Sequence, residues 1–256
     1  MKRIVSILLL LGLSVGPAWC QESESETEPG RPATIIVDRP SFGNGSKVVG
    51  DGVASLESGV LVTTTKAGGQ TLTQTPLLFR VGTSGDLEFR LATNLLNYQD
   101  PNLGVGDLAP GFKWNFLSEP GASLSLVGSL QVPSGSRTFR APGLVPSLSL
   151  AADFPLDDST GLLINLGALS PGDGRDRVLQ TFGTVGVSTP LSDKSSIYFE
   201  FAGFSPAAPG QPATTAADVV VTYLVDPDLQ LDAAVFKGFS SSGLDWGFTF
   251  GVSTRF

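Results

Sequence analysis

The chain ends Leu244-Asp245-Trp246-Gly247-Phe248-Thr249-Phe250-Gly251-Val252-Ser253-Thr254-Arg255-Phe256. Drawn as an extended strand, it puts Leu244, Trp246, Phe248, Phe250, Val252, Thr254 and Phe256 on one face. Asp245, Gly247, Thr249, Gly251, Ser253 and Arg255 fall on the other. Period-two alternation of this strictness, held to the last residue, predicts a strand with apolar surroundings on one side and small or polar neighbours on the other.

A soluble β-sandwich can end the same way, so the opening of the chain decides between the two. Lys2 and Arg3 precede the aliphatic run Ile4–Leu13, and Ala18-Trp19-Cys20 follows. This order predicts an export signal over residues 1–20, cut between Cys20 and Gln21. The apolar run is shorter than the roughly 20 residues of a membrane-spanning helix. Lipidation of Cys20 is the alternative, and Trp19 stands where such a signal wants a small residue. Cys20 is the only cysteine, so a chain cut after it has no disulfide, thiol nucleophile or thiolate metal site. An exported chain whose last strand closes on Phe then resembles the substrates of the outer-membrane assembly machinery. Gly251, Thr254 and Phe256 are its candidate recognition residues, and that machinery is an expected partner.

Composition agrees. Without Lys2 and Arg3 the 16 basic side chains fall to 14 against 24 acidic ones, a net charge of −10. That sign argues against nucleic acid as a partner. Charged residues make up 16% of the chain, against about 25% in soluble domains. Mean hydropathy is positive, yet beyond the signal no apolar run is long enough for a spanning helix. A chain this apolar can spread its hydrophobic surface along alternating strands.

Strands are expected near 53–65, 71–81, 86–96, 107–117, 121–132, 144–155, 160–169, 179–190, 195–205, 214–225, 228–238 and 244–256. Short connections with turn chemistry (82–85, 118–121, 156–159, 191–194, 226–228) alternate with a generally longer set (66–70, 97–106, 133–143, 170–178, 206–213, 239–243). Short turns on one side and longer loops on the other are the plan of a transmembrane, antiparallel, up-and-down β-barrel, here of twelve strands. The fold class is therefore all-β, with a signal peptide at 1–20 and a barrel at 53–256. Between them, 21–52 is an acidic periplasmic tail (Gln21–Gly30) followed by a stretch from Ile35 that caps or enters the barrel.

The strand faces can be assigned. Leu87, Phe89 and Leu91, then Phe112, Trp114 and Phe116, then Leu148, Leu150 and Phe154, then Val219, Val221 and Tyr223 are expected to face outer-membrane lipid. Phe79, Trp114, Phe116, Phe154, Phe199, Tyr223 and Phe256 gather toward the short-turn ends as a periplasmic aromatic girdle. The charges Glu57, Arg80, Glu88, Arg90, Lys113, Asp153, Glu200, Asp218 and Asp232 lie on the opposite face. On the lipid face Arg or Lys would cost about 2–4 kcal/mol at the midplane, so these residues are the candidate lumen lining. Arg80, Glu88 and Arg90 occupy hairpin partners and should form one paired cluster. Such residues either satisfy one another and stiffen the barrel or line a polar path.

The sequence contains no histidine, the commonest general base and neutral metal ligand. No catalytic, cofactor-binding or metal-ligating residue is assigned, no cofactor is expected, and the chain is not read as an enzyme. Asp173 and Asp176, in the loop from Ser170 to Arg177, lack the ordered ligand spacing of a calcium loop.

Asp38-Arg39-Pro40-Ser41-Phe42 with Leu56-Glu57-Ser58-Gly59 resembles the opening of the meta-pathway phenol-degradation family of outer-membrane transporters. So do Phe79-Arg80-Val81-Gly82 with Leu87-Glu88-Phe89-Arg90-Leu91, and Gly104-Val105-Gly106-Asp107-Leu108 with Gly111-Phe112-Lys113-Trp114. Leu229-Gln230-Leu231-Asp232 and Gly251–Phe256 are similar to its final hairpin. The resemblance implies a barrel that passes small hydrophobic or aromatic solutes, and with no Walker loop and too little chain for a large plug domain the passage is expected to be diffusive. The other reading is a closed structural barrel that acts through its extracellular loops.

Overall fold

The computed structural model describes residues 31–256 apart from Ala67 and residues 173–176. The expected signal peptide, the acidic stretch 21–30 and the loop carboxylates Asp173 and Asp176 lie outside the described residues. The strands are β1 (Ala54–Thr65), β2 (Thr71–Ser84), β3 (Leu87–Gln99), β4 (Asn102–Gly104), β5 (Ala109–Glu119), β6 (Ala122–Gln131) and β7 (Val145–Pro155). They continue with β8 (Gly161–Leu169), β9 (Gln180–Ser192), β10 (Ser195–Phe204), β11 (Thr214–Asp226), β12 (Leu229–Gly238) and β13 (Leu244–Arg255).

Every pairing is antiparallel, and all but two join chain neighbours: β3 pairs with β5 past the short β4, and β1 pairs with β13. The C-terminal strand closes the ring. β13 runs along β1 from Ser55↔Arg255 to Thr65↔Leu244. Twelve long strands thus form a barrel without an edge, so their backbone N–H and C=O groups can be satisfied in lipid.

Two local expectations are corrected. Residues 97–106 are not a plain loop: β3 continues to Gln99, and β4 folds back on it through Gln99↔Asn102. The turn expected at Gly82–Gly85 shrinks to Gly85-Asp86. The ladder holds Gly82↔Glu88 and Ser84↔Leu87 across a register shift, which carries β2 further.

The barrel inverts the burial order of a soluble protein. Phe89, Leu91, Trp114, Leu148, Val219, Val221 and Tyr223 are exposed on the outer wall, while Glu57, Arg80, Glu88 and Lys113 are buried inside. An apolar exterior around a polar interior is stable only where lipid replaces water outside. Aromatic residues are not confined to the short-turn girdle. Tyr98, Phe239 and Trp246 are exposed at the long-loop end, and Lys237 lies over the Trp246 ring at 4.2 Å.

Residues 31–53 form no strand, and from Ile35 to Val49 they run through the barrel interior. The Ile35 N–H donates to Pro227 C=O (2.8 Å) at the short-turn end, which fixes where this luminal segment enters. The segment rises to Phe42, reverses, and returns to the short-turn end. There the Gly52 N–H donates to Gly82 C=O (3.1 Å), and a Cβ on Gly82 would sit 1.7 Å from Gly50 O. Gly82 is the residue that lets the returning chain lie against β2.

Candidate functional site

The luminal segment and the wall around it form the candidate site. Its ascending arm begins with the N–H groups of Asp38 (3.1 Å) and Arg39 (3.0 Å), both donating to Glu57 on β1. The Arg39 side chain crosses to β12 and donates to both carboxyl oxygens of Asp232 at 3.1 Å, and to Thr249. Fork-to-carboxylate contact of this kind fixes orientation as well as charge. Gly59 and Gly251 make it possible, since a Cβ at either would fall within 2.5 Å of the Arg39 guanidinium. Gly251, read from sequence as part of an assembly signal, therefore has a luminal task as well.

At the top of the segment the Phe42 ring meets Phe236 and Phe204 edge-on, with centroids 5.2 and 6.1 Å away. The N–H groups of Phe42 (2.7 Å) and Gly43 (3.0 Å) donate to Glu200 on β10. A Cβ on Gly43 would meet Glu200, Asn165 and Thr184 at 2.7–2.8 Å, so only glycine lets the backbone approach this wall. On the descending arm Asn44 exchanges two 3.0 Å hydrogen bonds with Asn165 on β8. Ser46 donates its N–H (2.9 Å) and hydroxyl (2.7 Å) to Asp153 on β7, and Val49 N–H donates to Glu88 on β3 (2.9 Å).

The lumen charges divide into two groups. On the β1–β5 side Arg80 bridges Glu57 (2.8 Å) and Glu88 (2.8 Å). Asp38 of the segment completes the cluster, with Lys113 at 2.7 Å, Arg90 at 2.8 Å and Arg80 at 3.7 Å. Three cations face three carboxylates, and the expected Arg80, Glu88 and Arg90 group is its centre. On the other side Asp153, Glu200 and Asp218 face inward with no ion pair among the described residues. Glu200 and Asp153 meet the segment through hydrogen bonds from main chain and from Ser46. Asp232, between the two groups, belongs to Arg39. Among the described residues no three His, Cys, Asp or Glu side chains gather as metal ligands would.

Sequence reasoning treated Asp38 and Arg39 only as parts of a motif and did not place them in the lumen. A usable signal was there: an Asp-Arg pair ahead of β1, on a stretch where Gly43, Gly45 and Ser46 permit close backbone approach. The neutral contacts Asn165, Ser123 and Ser125 were missed because only charges were counted. Ser125 donates to the Ser46 carbonyl, and Asn115 to the same oxygen at 3.2 Å.

Outside the membrane region, Asp107 joins two long loops. Its carboxylate accepts the N–H groups of Gly135 (2.8 Å) and Ala141 (2.7 Å) and the Gln131 amide (2.9 Å). Burial works against its charge, but these donors prevail and hold the carboxyl below the usual carboxylate range. This explains the Asp of the Gly-x-Gly-Asp-Leu motif.

A cavity of about 560 Å³ lies between the Phe42 turn and the long loops. Leu61, Leu72, Pro76, Phe139 and Phe236 give it an apolar lining, while Arg90, Asn94, Asn97 and Gln131 supply polar groups.

The family described as "Putative MetA-pathway of phenol degradation" matches residues 37–256. The chain belongs to that family. The match takes in the luminal segment from Val37 as well as the barrel, so the phenol-degradation family's domain is barrel and segment together. Among solved structures, the chain is similar to a COG4313 outer membrane channel from Pseudomonas putida F1. Identity is 13%, coverage is 85% of this chain and 100% of that one, and the TM-score is 0.68. It is also similar to the NanC porin (10% identity, 78% and 98% coverage, TM-score 0.59) and to the KdgM porin in complex with disordered oligogalacturonate (13%, 79% and 99%, TM-score 0.56). No curated protein matches the chain in sequence. With its lipid-facing exterior, this member of the family is an outer-membrane β-barrel in contact with membrane lipid.

Proposed function

We propose that this barrel is a passive outer-membrane channel for small, largely apolar solutes, held nearly closed at rest by its own luminal segment. The observation that carries the reading is the cavity on the long-loop side of the Phe42 turn. Its size lies in the range that holds a small organic molecule. Its walls combine aromatic and aliphatic side chains with a few hydrogen-bonding groups, which suits an aromatic solute bearing a polar substituent. The family's link to phenol degradation favours the same class. Passage beyond the cavity requires the segment to shift, because Phe42 and Gly43 form the cavity floor. In this reading Glu57, Arg80, Glu88, Arg90 and Lys113 set the resting position of the segment as well as lining the lumen. Asp153, Glu200, Asp218 and Asp232 present the remaining lumen charge.

The test is twofold. Refolded residues 21–256 in a planar bilayer should give small current steps, and deletion of residues 31–49 should enlarge them. Liposomes bearing the intact barrel should take up phenol faster than empty ones. Equal uptake, with no current from either form, would leave a closed structural barrel acting through its loops. Recognition by the assembly machinery belongs to the same proposal. Phe256 lies exposed on the outer wall, as such recognition requires, and its deletion should lower the yield of folded barrel in cells.

A further inference from the structure

Strands β10 and β11 set Glu200 and Asp218 directly opposite each other in register. Both face inward and both are 3% exposed. Glu200 is engaged by the Phe42 and Gly43 N–H groups. Asp218 lies near the Phe42 N–H as well, but neither of its carboxyl oxygens accepts a hydrogen bond of full geometry from the described residues. As directly opposed, inward-facing residues of neighbouring strands their Cβ atoms are about 4.5–5.5 Å apart, close enough for the carboxyl groups to meet.

The surroundings offer no countercharge. On β9 the neighbours are neutral, Thr184 and Gly186, and the Thr184 hydroxyl also lacks a partner among the described residues. On β12 Asp232 is a third carboxylate, taken by Arg39. Asp153 on β7 adds another negative charge and holds Ser46. Tyr198 on β10 brings a phenol and Asn165 on β8 an amide, neither of them a cation. Arg39 of the luminal segment is already committed to Asp232.

Adjacent buried carboxyl groups without a cation hold a proton between them rather than two full charges. An Asp218 O–H donating to Glu200 satisfies Asp218 and leaves one negative charge for the Phe42 and Gly43 N–H groups. We propose that Glu200 and Asp218 share one proton and so form a proton-sensitive latch on the Phe42–Gly43 turn of the luminal segment. Loss of that proton to solvent leaves two like charges side by side. The repulsion is relieved by admitting water and counter-ions, which requires the turn to leave Glu200. The protonated pair is therefore latched and the deprotonated pair released, so alkaline conditions favour release.

The latch governs transport only if the barrel is a channel, so the test reads the segment before it reads current. Residues 21–256 contain no cysteine, and a nitroxide placed on Ser41→Cys reports motion of the segment near the turn. The refolded barrel, checked by heat-shifted gel migration, is titrated from about pH 5 to about pH 10. The ratio of mobile to fixed label should rise by up to about tenfold per pH unit through the transition, the limit for one proton. Asp218→Asn, whose amide donates to Glu200 at every pH, should keep the label fixed throughout. Glu200→Gln should also abolish the pH response, which covers the case in which the first variant fails to fold. A wild-type label that never moves, or the same titration in both amide variants, overturns the latch. A response to added Ca²⁺ at constant pH, in place of one to protons, overturns it too and makes the pair a cation site. Release of the label without current at any pH leaves the latch standing and removes the channel reading instead.

Discussion

The two walls of the lumen hold the same segment by different means. On the β1–β5 side, Arg80, Arg90 and Lys113 meet Asp38, Glu57 and Glu88, and charge is balanced within the cluster. On the β7–β11 side, Asp153 and Glu200 meet only hydrogen-bond donors, and Asp218 beside Glu200 has neither cation nor donor of its own. A balanced buried cluster is costly to break, because removing one member strands a charge in a dry interior. A wall of carboxylates held by N–H groups can be wetted more cheaply. The difference gives the segment a fixed side and a releasable side, with the reversal at Phe42 on the releasable one.

The comparison can be broken most forcefully at Arg80. Arg80→Ala strands Glu57 and Glu88 and should cost about 3–5 kcal/mol in urea unfolding of the detergent-solubilised barrel. A loss below about 1 kcal/mol would mean that the balanced side is not the fixed one. Next is Arg39→Ala, which frees Asp232 and should cost about 1.5–3 kcal/mol by the same measurement. It should also raise single-channel conductance, since Arg39 ties the ascending arm to β12. Gly43→Ala sharpens the other side. Its Cβ has no room between Glu200, Asn165 and Thr184. It should cost about 1 kcal/mol through overpacking while moving the turn enough to change conductance more than stability. The smallest effect lies outside the lumen, at Asp107. Its carboxyl is depressed in the folded protein, so its contribution is present above the ordinary carboxylate pKa and is lost as pH falls through the folded value. Hydrogen exchange of the Gly135 and Ala141 amides should be slow near neutral pH and accelerate only in strong acid, relative to loop amides without a carboxylate partner. Asp107→Asn should show that acceleration already at neutral pH.

The barrel was legible because its signal is periodic and repeated. Leu87-Glu88-Phe89-Arg90-Leu91 and the closing strand each state which face meets lipid, and the alternation of short and long connections states how the strands run. Strand ends were less legible. Whether Gly82–Ser84 extend β2 depends on a register shift that no local composition reveals. The luminal segment was the least legible part. Asp38, Phe42 and Ser46 have no period, and their partners Glu57, Glu200 and Asp153 lie far along the chain. Sequence could place the nine charges inside the barrel but could not say that eight of them, all but Asp218, bond to the segment ahead of β1.

The way the segment is held has a consequence for how it tolerates change. The N–H groups of Asp38, Arg39, Phe42, Gly43, Asn44, Ser46 and Val49 all donate to wall or segment acceptors, and every residue type except proline supplies that donor. Side-chain truncation therefore leaves most of the anchorage in place. An alanine scan would score much of the segment as dispensable while its path through the barrel remained indispensable. Proline, which deletes the donor and keeps the chain, is the substitution that would reveal what the segment contributes.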